Sequence, residues 1–420
     1  MGQAAPGRLL LREQAGHATV YTGLPFTCTM SQPLTEDDIY RTSTQFRLWN
    51  FAPEALASLR ASTHQSAIER AGAYLSVSGS DTNANGREAG GIEAQCLSLE
   101  EEMKLVQRSC DQIRSTCDHF KFPVNVKATA VQYLRRFYLT NSCLTYPPKE
   151  IYKSILFLAS KTEGAHMPLG EYGRRIATAP EHILAPEYKI IQALRFTLDV
   201  KQPFRGLRGA LMELLNLIDG RAAILPGADG NATAESLQKE VTTLAAPPST
   251  ALTQWQTGQA VVDRAQLAYS AARQLLDANA LLTDVYFLYT PSQIYMAALR
   301  LADPVLTDFY LSTKLPASSP TTAKILATIA SCADMLASYD SKNSLGKEER
   351  AALEAKLDAC RDPSTKDMVG LNAKAKRGDE HEVEEKAKRR KIEREASAKE
   401  GDDLFGPALS QPMARVETGS

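Results

Sequence analysis

LTNSCLTYPPKEIYKSILFLA, residues 139–159, returns 143 positions later as LTDVYFLYTPSQIYMAALRLA, residues 282–302. Nine of the 21 aligned positions are identical, among them Leu139/Leu282, Tyr146/Tyr289, Pro148/Pro291, Ile151/Ile294 and Ala159/Ala302; chance pairing gives about one or two. Each copy reads as a turn, a proline at a helix start and an apolar run. One supersecondary unit written twice predicts a duplicated helical domain. The copies differ in charge: Lys161, just past the repeat, maps to Pro304, and Glu187 maps to Ala330. A charged pair in only one copy points to a binding site there, with the other copy as support.

Helical patterns extend in both directions from the repeat. Leu99, Met103, Val106, Cys110, Ile113, Cys117 and Phe120 alternate four and three apart, which predicts one face of a long helix packed on a core. Pro123 opens a second helix through Phe137, where Ala128 and Ala130 allow close helix contact. Pro147 and Pro148 precede a third, over 151–162, apolar around much of its circumference and therefore central. Pro168 and Pro180 punctuate two more, ending near Leu198. The second copy starts near Pro203, resumes at Asp263 and runs to Leu282. There Thr290 and Pro291 cap the counterpart of the central helix, and a stretch over 321–339 completes the set.

The fold class is thus all-α: two tandem five-helix domains with flanking helices. The expected organisation is a disordered extension at 1–35, a helical arm at 36–75 and a flexible insertion at 76–95. The first domain follows at 96–200. The second, at 201–342, carries a loop at 219–262 rich in Gly, Ala, Thr and Pro. A C-terminal helix at 343–362 precedes a disordered charged tail at 363–420. Trp49, Phe51, Leu56, Leu59 and Ile68 form an apolar stripe on the arm. The patch around Arg8 and Arg12 is similar to a transit peptide, and the reading taken is an upstream extension or a misassigned start codon ahead of Met30.

Composition excludes several classes of function. With 48 basic and 49 acidic side chains the chain has no cationic surplus for general nucleic-acid binding. Seven cysteines without a CxxC pair read as buried thiols in a reducing compartment, and no metal site is expected. No apolar run is long enough to span a membrane. No glycine-rich phosphate loop or HRD or DFG segment is present, so no enzyme chemistry and no cofactor are expected. Residues 374–400 hold ten Lys/Arg, eight Asp/Glu and no aromatic residue. Such a segment cannot bury a core, and its basic clusters 374–377 and 386–391 resemble a bipartite nuclear import signal. Lys386, Lys388, Arg389, Arg390 and Lys391 form the stronger half, so the expected localisation is nuclear.

Two five-helix copies, with YLRRFYL at 133–139, LFLASKTE at 156–163 and EYKIIQALRF at 187–196, resemble the cyclin family. Within it, YRTSTQFRLWNF at 40–51, EHIL at 181–184 and YFLYTPSQI at 286–294 are similar to the cyclin H branch, fungal-like in character. So is the post-box helix with Leu353, Leu357 and Cys360. The resemblance spans about 36–362, apart from the insertions at 76–95 and 219–262. A further departure is Ala185-Pro186, where the family carries non-proline residues; it predicts a bend at the start of the fifth helix.

The resemblance implies a subunit that activates a cyclin-dependent kinase, with Lys161 and Glu187 as the contact pair and Tyr40, Trp49 and Phe51 of the arm as further kinase-binding residues. A kinase needs its C helix swung inward so that a helix glutamate pairs with the strand lysine. A partner lysine suits exposed carbonyls at a helix end, and a carboxylate accepts from amide N–H groups. The implied kinase is of the CDK-activating type, in a trimer with a RING-finger assembly subunit, attached to the core of transcription factor IIH and acting on the repeats of RNA polymerase II. The alternatives are another transcriptional cyclin, or a nucleic-acid-binding module of the transcription factor IIB kind, which shares the fold and should show a basic groove. The arm at 40–51 speaks against the former and the charge balance against the latter.

Overall fold

The computed structural model describes residues 36–78, 95–221, 233–245, 260–315, 319–339 and 345–372. The arm consists of α1 (Glu36–Thr42), α2 (Thr44–Trp49) and α3 (Pro53–Ser78). The first domain holds α4 (Leu99–Phe120), α5 (Val124–Phe137), α6 (Pro148–Thr162), α7 (Leu169–Arg175), α8 (Pro180–Leu184) and α9 (Glu187–Ala193). The second holds α10 (Phe204–Ile218), α11 (Ala234–Thr242), α12 (Val261–Asp277), α13 (Asn279–Leu282), α14 (Val285–Leu288), α15 (Pro291–Ala302), α16 (Pro304–Ser312) and α17 (Pro320–Ala337). A last helix, α18 (Lys347–Ala359), packs back on α4.

Local chemistry sets the boundaries. Ser98 and Glu101 form a reciprocal capping box at the start of α4, and Lys121 in the left-handed region ends it. Pro123 caps α5, whose side chains from Val126 to Phe137 are all buried. It packs against α4 and the central α6, which buries Ile151 and every side chain from Ser154 to Ser160. In the second copy Thr290 makes a capping box with Gln293, and Pro291 opens α15, the counterpart of α6, which packs on α12 and α17. Gly206 on α10 is there for space: a Cβ would lie 2.4 Å from the Tyr295 ring of α15.

Several expectations are corrected. The fifth helix of the first domain is two pieces, α8 and α9, with the break at Ala185 and Pro186. Residues 219–262 are not loop throughout. α11 lies within them, buries Val241 and packs on α10, and Thr233 caps it through a pairing with Ser236. The Gly/Pro-rich flanks at 222–232 and 246–259 lie outside the described residues. Residues 363–372 are not tail: Pro363–Thr365 make a 3₁₀ turn, and Thr365 Oγ1 donates to the Thr145 carbonyl at 2.6 Å. The arm helix continues to Ser78, three residues into the expected insertion, of which 79–94 likewise lie outside the described residues. On α4, Met103 faces solvent and Glu102 is buried instead. The Glu102 carboxylate accepts from Ser142 Oγ at 2.6 Å and from the Cys143 amide at 3.3 Å, so a polar anchor turns that part of the stripe.

The arm bridges both domains. Trp49 and Leu56 pack with Leu139 of the first and Phe287 of the second as a small separate core. Arg60 of α3 forks onto Asp284 with two bonds of 2.7 Å, and Arg135 of α5 donates to the same carboxylate. Burial alone would raise the Asp284 pKa; the bond from Arg60 and the charge of Arg135 outweigh it and hold the pKa at about 2, below the ordinary 3.8. Because the folded value is the lower one, this stabilisation is present above the unfolded pKa and is lost as pH falls through about 2. The shift corresponds to about 2 kcal/mol. We expect acid titration of stability to show Asp284→Asn weaker than wild type by about that amount at pH 5, with the gap closing toward pH 2. A constant gap over that range would show that Asp284 ionisation does not hold the arm.

Candidate protein interface

The site grows from the C-terminal end of α6 and the break between α8 and α9. α6 ends in Lys161-Thr162, and α9 begins at Glu187. These two ends meet, and Lys161 Nζ donates to Glu187 Oε1. The Lys161 ammonium also lies 4.9 Å from the centre of the Phe157 ring. The side chains are 36% and 20% exposed, so the pair sits in the surface and both groups are open to an approaching chain.

Exposed apolar side chains surround this pair in sequence: Leu184 at 42%, Tyr188 at 65% and Phe196 at 65%. Phe196 projects from a turn in which Arg195 and Phe196 both take positive φ, 54° and 56°. Neither residue is a glycine, so this conformation is strained locally and held by its surroundings. The Phe196 amide donates to the Ile191 carbonyl at 3.0 Å, and Thr197 Oγ1 donates to the Leu194 carbonyl at 2.7 Å. Two strained residues thus hold an aromatic ring out toward solvent at this turn. Sequence reasoning missed Leu184, Tyr188 and Phe196, because nothing in their spacing distinguishes them from core positions.

The arm residues lie elsewhere. Tyr40 and Trp49 are buried at 6% and 1%, and Phe51 is half-buried. Trp49 Nε1 donates to Thr197 Oγ1 at 2.9 Å, and the guanidinium groups of Arg136 and Arg195 lie 5.0 Å and 5.1 Å from its ring centre. Burial lowers the Arg136 pKa to about 10, which leaves it charged at neutral pH. The Phe51 amide donates to the Phe287 carbonyl at 2.8 Å and its ring meets Phe287 edge-on, while Tyr40 packs edge-on against Phe46. In the free chain the rings of Tyr40, Trp49 and Phe51 turn inward and anchor the arm. The arm still reaches the site, since Trp49 holds the turn that carries Phe196. Gln45, also missed from sequence, is fully buried and accepts from the Lys201 amide at 2.8 Å and from Arg136 at 3.1 Å. Lys386, Lys388, Arg389, Arg390 and Lys391 lie outside the described residues.

In the second copy the equivalent of Ser160-Lys161 is Asp303-Pro304. Asp303 is buried, accepts a forked pair from Arg264 at 2.7 and 3.0 Å, and caps α16 through the Leu306 amide at 2.9 Å. The position that ends α6 as a surface cation instead starts the next helix. The second copy cannot present the same site.

Comparison with known proteins agrees with this architecture. Residues 90–199 match the family described as cyclin, N-terminal domain, and residues 202–337 match the cyclin C-terminal domain. A chain in the structure of the CAK complex from Chaetomium thermophilum bound to ATP-γ-S is 32% identical and superposes with a TM-score of 0.64, covering 82% of this chain and 95% of that one. The chain belongs to the cyclin family and is cyclin H-like. Cyclin CCL1 of Saccharomyces cerevisiae is 29% identical over 285 residues, 67% of this cyclin and 63% of that protein. Cyclin-H1-1 of Arabidopsis thaliana is 28% identical over 353 residues, 80% of this chain and 88% of that one. A chain of the yeast TFIIK (Kin28/Ccl1/Tfb3) complex, 24% identical with a TM-score of 0.50 and covering 71% of this chain and all of its own length, shares the fold.

Proposed function

We propose that this cyclin binds and activates a cyclin-dependent serine/threonine kinase of the CDK-activating type through the face around Lys161 and Glu187. The observation that carries the reading is a partly exposed ion pair in the first domain, flanked in sequence by solvent-facing Leu184, Tyr188 and Phe196, with its counterpart in the second domain consumed by a buried helix cap. A lysine donor and a carboxylate acceptor side by side can satisfy backbone groups of a partner helix while neutralising each other, so no unpaired charge is buried on association. Exposed aromatic residues supply the apolar contact. The cyclin acts by shape and contributes no catalytic group. The same reading extends to a RING-finger assembly subunit, to the transcription factor IIH core and to substrates among the repeats of RNA polymerase II, supported by the likeness to cyclin H proteins and to a chain of a CAK complex.

The first test is capture of the full chain, identification of the co-purifying kinase and assay of its activity with and without the cyclin. With that kinase, Lys161→Ala is expected to weaken association at least tenfold while leaving the unfolding midpoint unchanged. Hydrogen bonds to charged groups are worth about 1.5–3 kcal/mol, and each 1.4 kcal/mol is a factor of ten. Equal affinity of variant and wild type would reduce the pair to a surface salt bridge. Nuclear import belongs to the same reading. A reporter fused to residues 370–400 should concentrate in the nucleus and lose that distribution when Lys388, Arg389, Arg390 and Lys391 become alanine. Cytoplasmic retention of the unmodified reporter would assign nuclear entry to the partners.

A further inference from the structure

Residues 361–372, which follow α18, are tied across the first domain to the break at Ala185. Arg361 forks onto Glu150 near the start of α6 at 2.8 and 2.9 Å. The Asp362 amide donates to the Leu144 carbonyl at 3.0 Å, and its carboxylate accepts from the Tyr74 hydroxyl of the arm at 3.0 Å. Thr365 is bonded to the Thr145 carbonyl, and Met368 packs on the main core. At the end of this strap Asn372 Nδ2 donates to the Ala185 carbonyl at 2.7 Å.

That carbonyl sits at a weak point. Pro186 has no N–H to give to the helix ladder, and α9 begins immediately after it with no side-chain cap. α9 is a seven-residue helix whose first residue is Glu187; Lys161 holds the carboxylate, but no cap of the helix itself fixes the backbone from which it projects. A donor brought from outside the helix supplies the restraint. We propose that Asn372 is a positioning residue for Glu187, and that the strap compensates for the Ala185-Pro186 break by holding the start of α9 against the end of α6. The inference rests on the reading of Lys161 and Glu187 as the kinase-binding pair.

The test uses the full chain and the kinase recovered with it. Asn372→Ala removes the donor, and Asn372→Gln retains it on an exposed, adaptable side chain. The loss of one such bond corresponds to about a five- to tenfold fall in affinity. We expect that fall for Asn372→Ala, near-wild-type binding for Asn372→Gln, and an unchanged unfolding midpoint for both. In a Glu187→Ala background Asn372→Ala should add nothing, since it acts through Glu187. In the unbound chain, the backbone amides of 188–190 should exchange faster in Asn372→Ala than in wild type. If Glu187→Ala weakens binding and Asn372→Ala does not, the strap is a tether only and the proposal fails while the interface reading stands. A full additional loss from Asn372→Ala in the Glu187→Ala background likewise overturns it, by placing its action elsewhere. If Glu187→Ala has no effect, the interface reading falls and the strap's role falls with it.

Discussion

Asp303→Ala is expected to destabilise the second domain by about 3–5 kcal/mol, because it leaves a buried guanidinium without its counter-ion. Arg264 and Asp303 have side chains 2% and 1% exposed, and the carboxylate takes both Arg264 Nε and Nη2. The same carboxylate caps α16 at Leu306, and a lost cap costs about 1 kcal/mol within that total. Arg264 Nη1 also donates to the Ala245 carbonyl at 2.8 Å, so the pair fixes the chain leaving α11. Urea unfolding should show the midpoint fall without a large change in slope, and Arg264→Ala should behave alike. A double variant with apolar residues at both positions should recover much of the loss, since a buried pair is costly to break and far less costly to replace. Loss of less than about 1 kcal/mol in both single variants would mean that water reaches the site. Kinase binding should survive wherever the first domain remains folded, because Lys161 and Glu187 lie in the other copy.

Repetition made the architecture legible. The shared turn, proline and apolar run at 139–159 and 282–302 became α6 and α15, and the mismatch at Lys161/Pro304 became a real difference between a surface cation and a helix start. Pro186 predicted a bend and the structure has a break. What periodicity could not supply was the partner of each polar side chain. Gln45, Glu102 and Asp284 are polar letters in polar or mixed stretches, and the burial of the first two and the partial burial of Asp284 follow from contacts with residues as far away as Lys201 and Arg60. The helix inside 219–262 was hidden by its Gly- and Pro-rich flanks, although Thr233 and Ser236 stand at capping-box spacing. Phe196 was hidden for another reason. A positive φ is signalled by glycine or asparagine, and here Arg195 and Phe196 adopt it under tertiary restraint.

That restraint leads to the other large effect, Trp49→Ala. A buried tryptophan truncated to alanine typically costs about 3–5 kcal/mol, and here the loss falls on the docking of the arm. The Trp49 ring fills the small core with Leu56, Leu139 and Phe287, and its N–H reaches Thr197 at 2.9 Å. The main core, which includes Ala67, Ile68 and Ala71 of α3, does not contain Trp49, so the arm N-terminal to those residues should open before the two domains unfold. Limited proteolysis should then cut within residues 36–72 of the variant at protease levels that spare wild type, while most helical signal persists. Because Thr197 and Arg195 flank Phe196, losing the indole also loosens the turn that presents that ring. Kinase activation should fall with the arm's protection, even though Trp49 is buried in the free chain. Trp49→Phe separates the contributions: it keeps most of the apolar contact, loses only the N–H bond and should cost about 1 kcal/mol. If Trp49→Ala leaves the arm protected and activation unchanged, the arm is held by its remaining contacts, among them Arg60 on Asp284, Gln45 on Lys201 and the packing of Ala67, Ile68 and Ala71 in the main core, and the turn at Phe196 does not depend on Trp49.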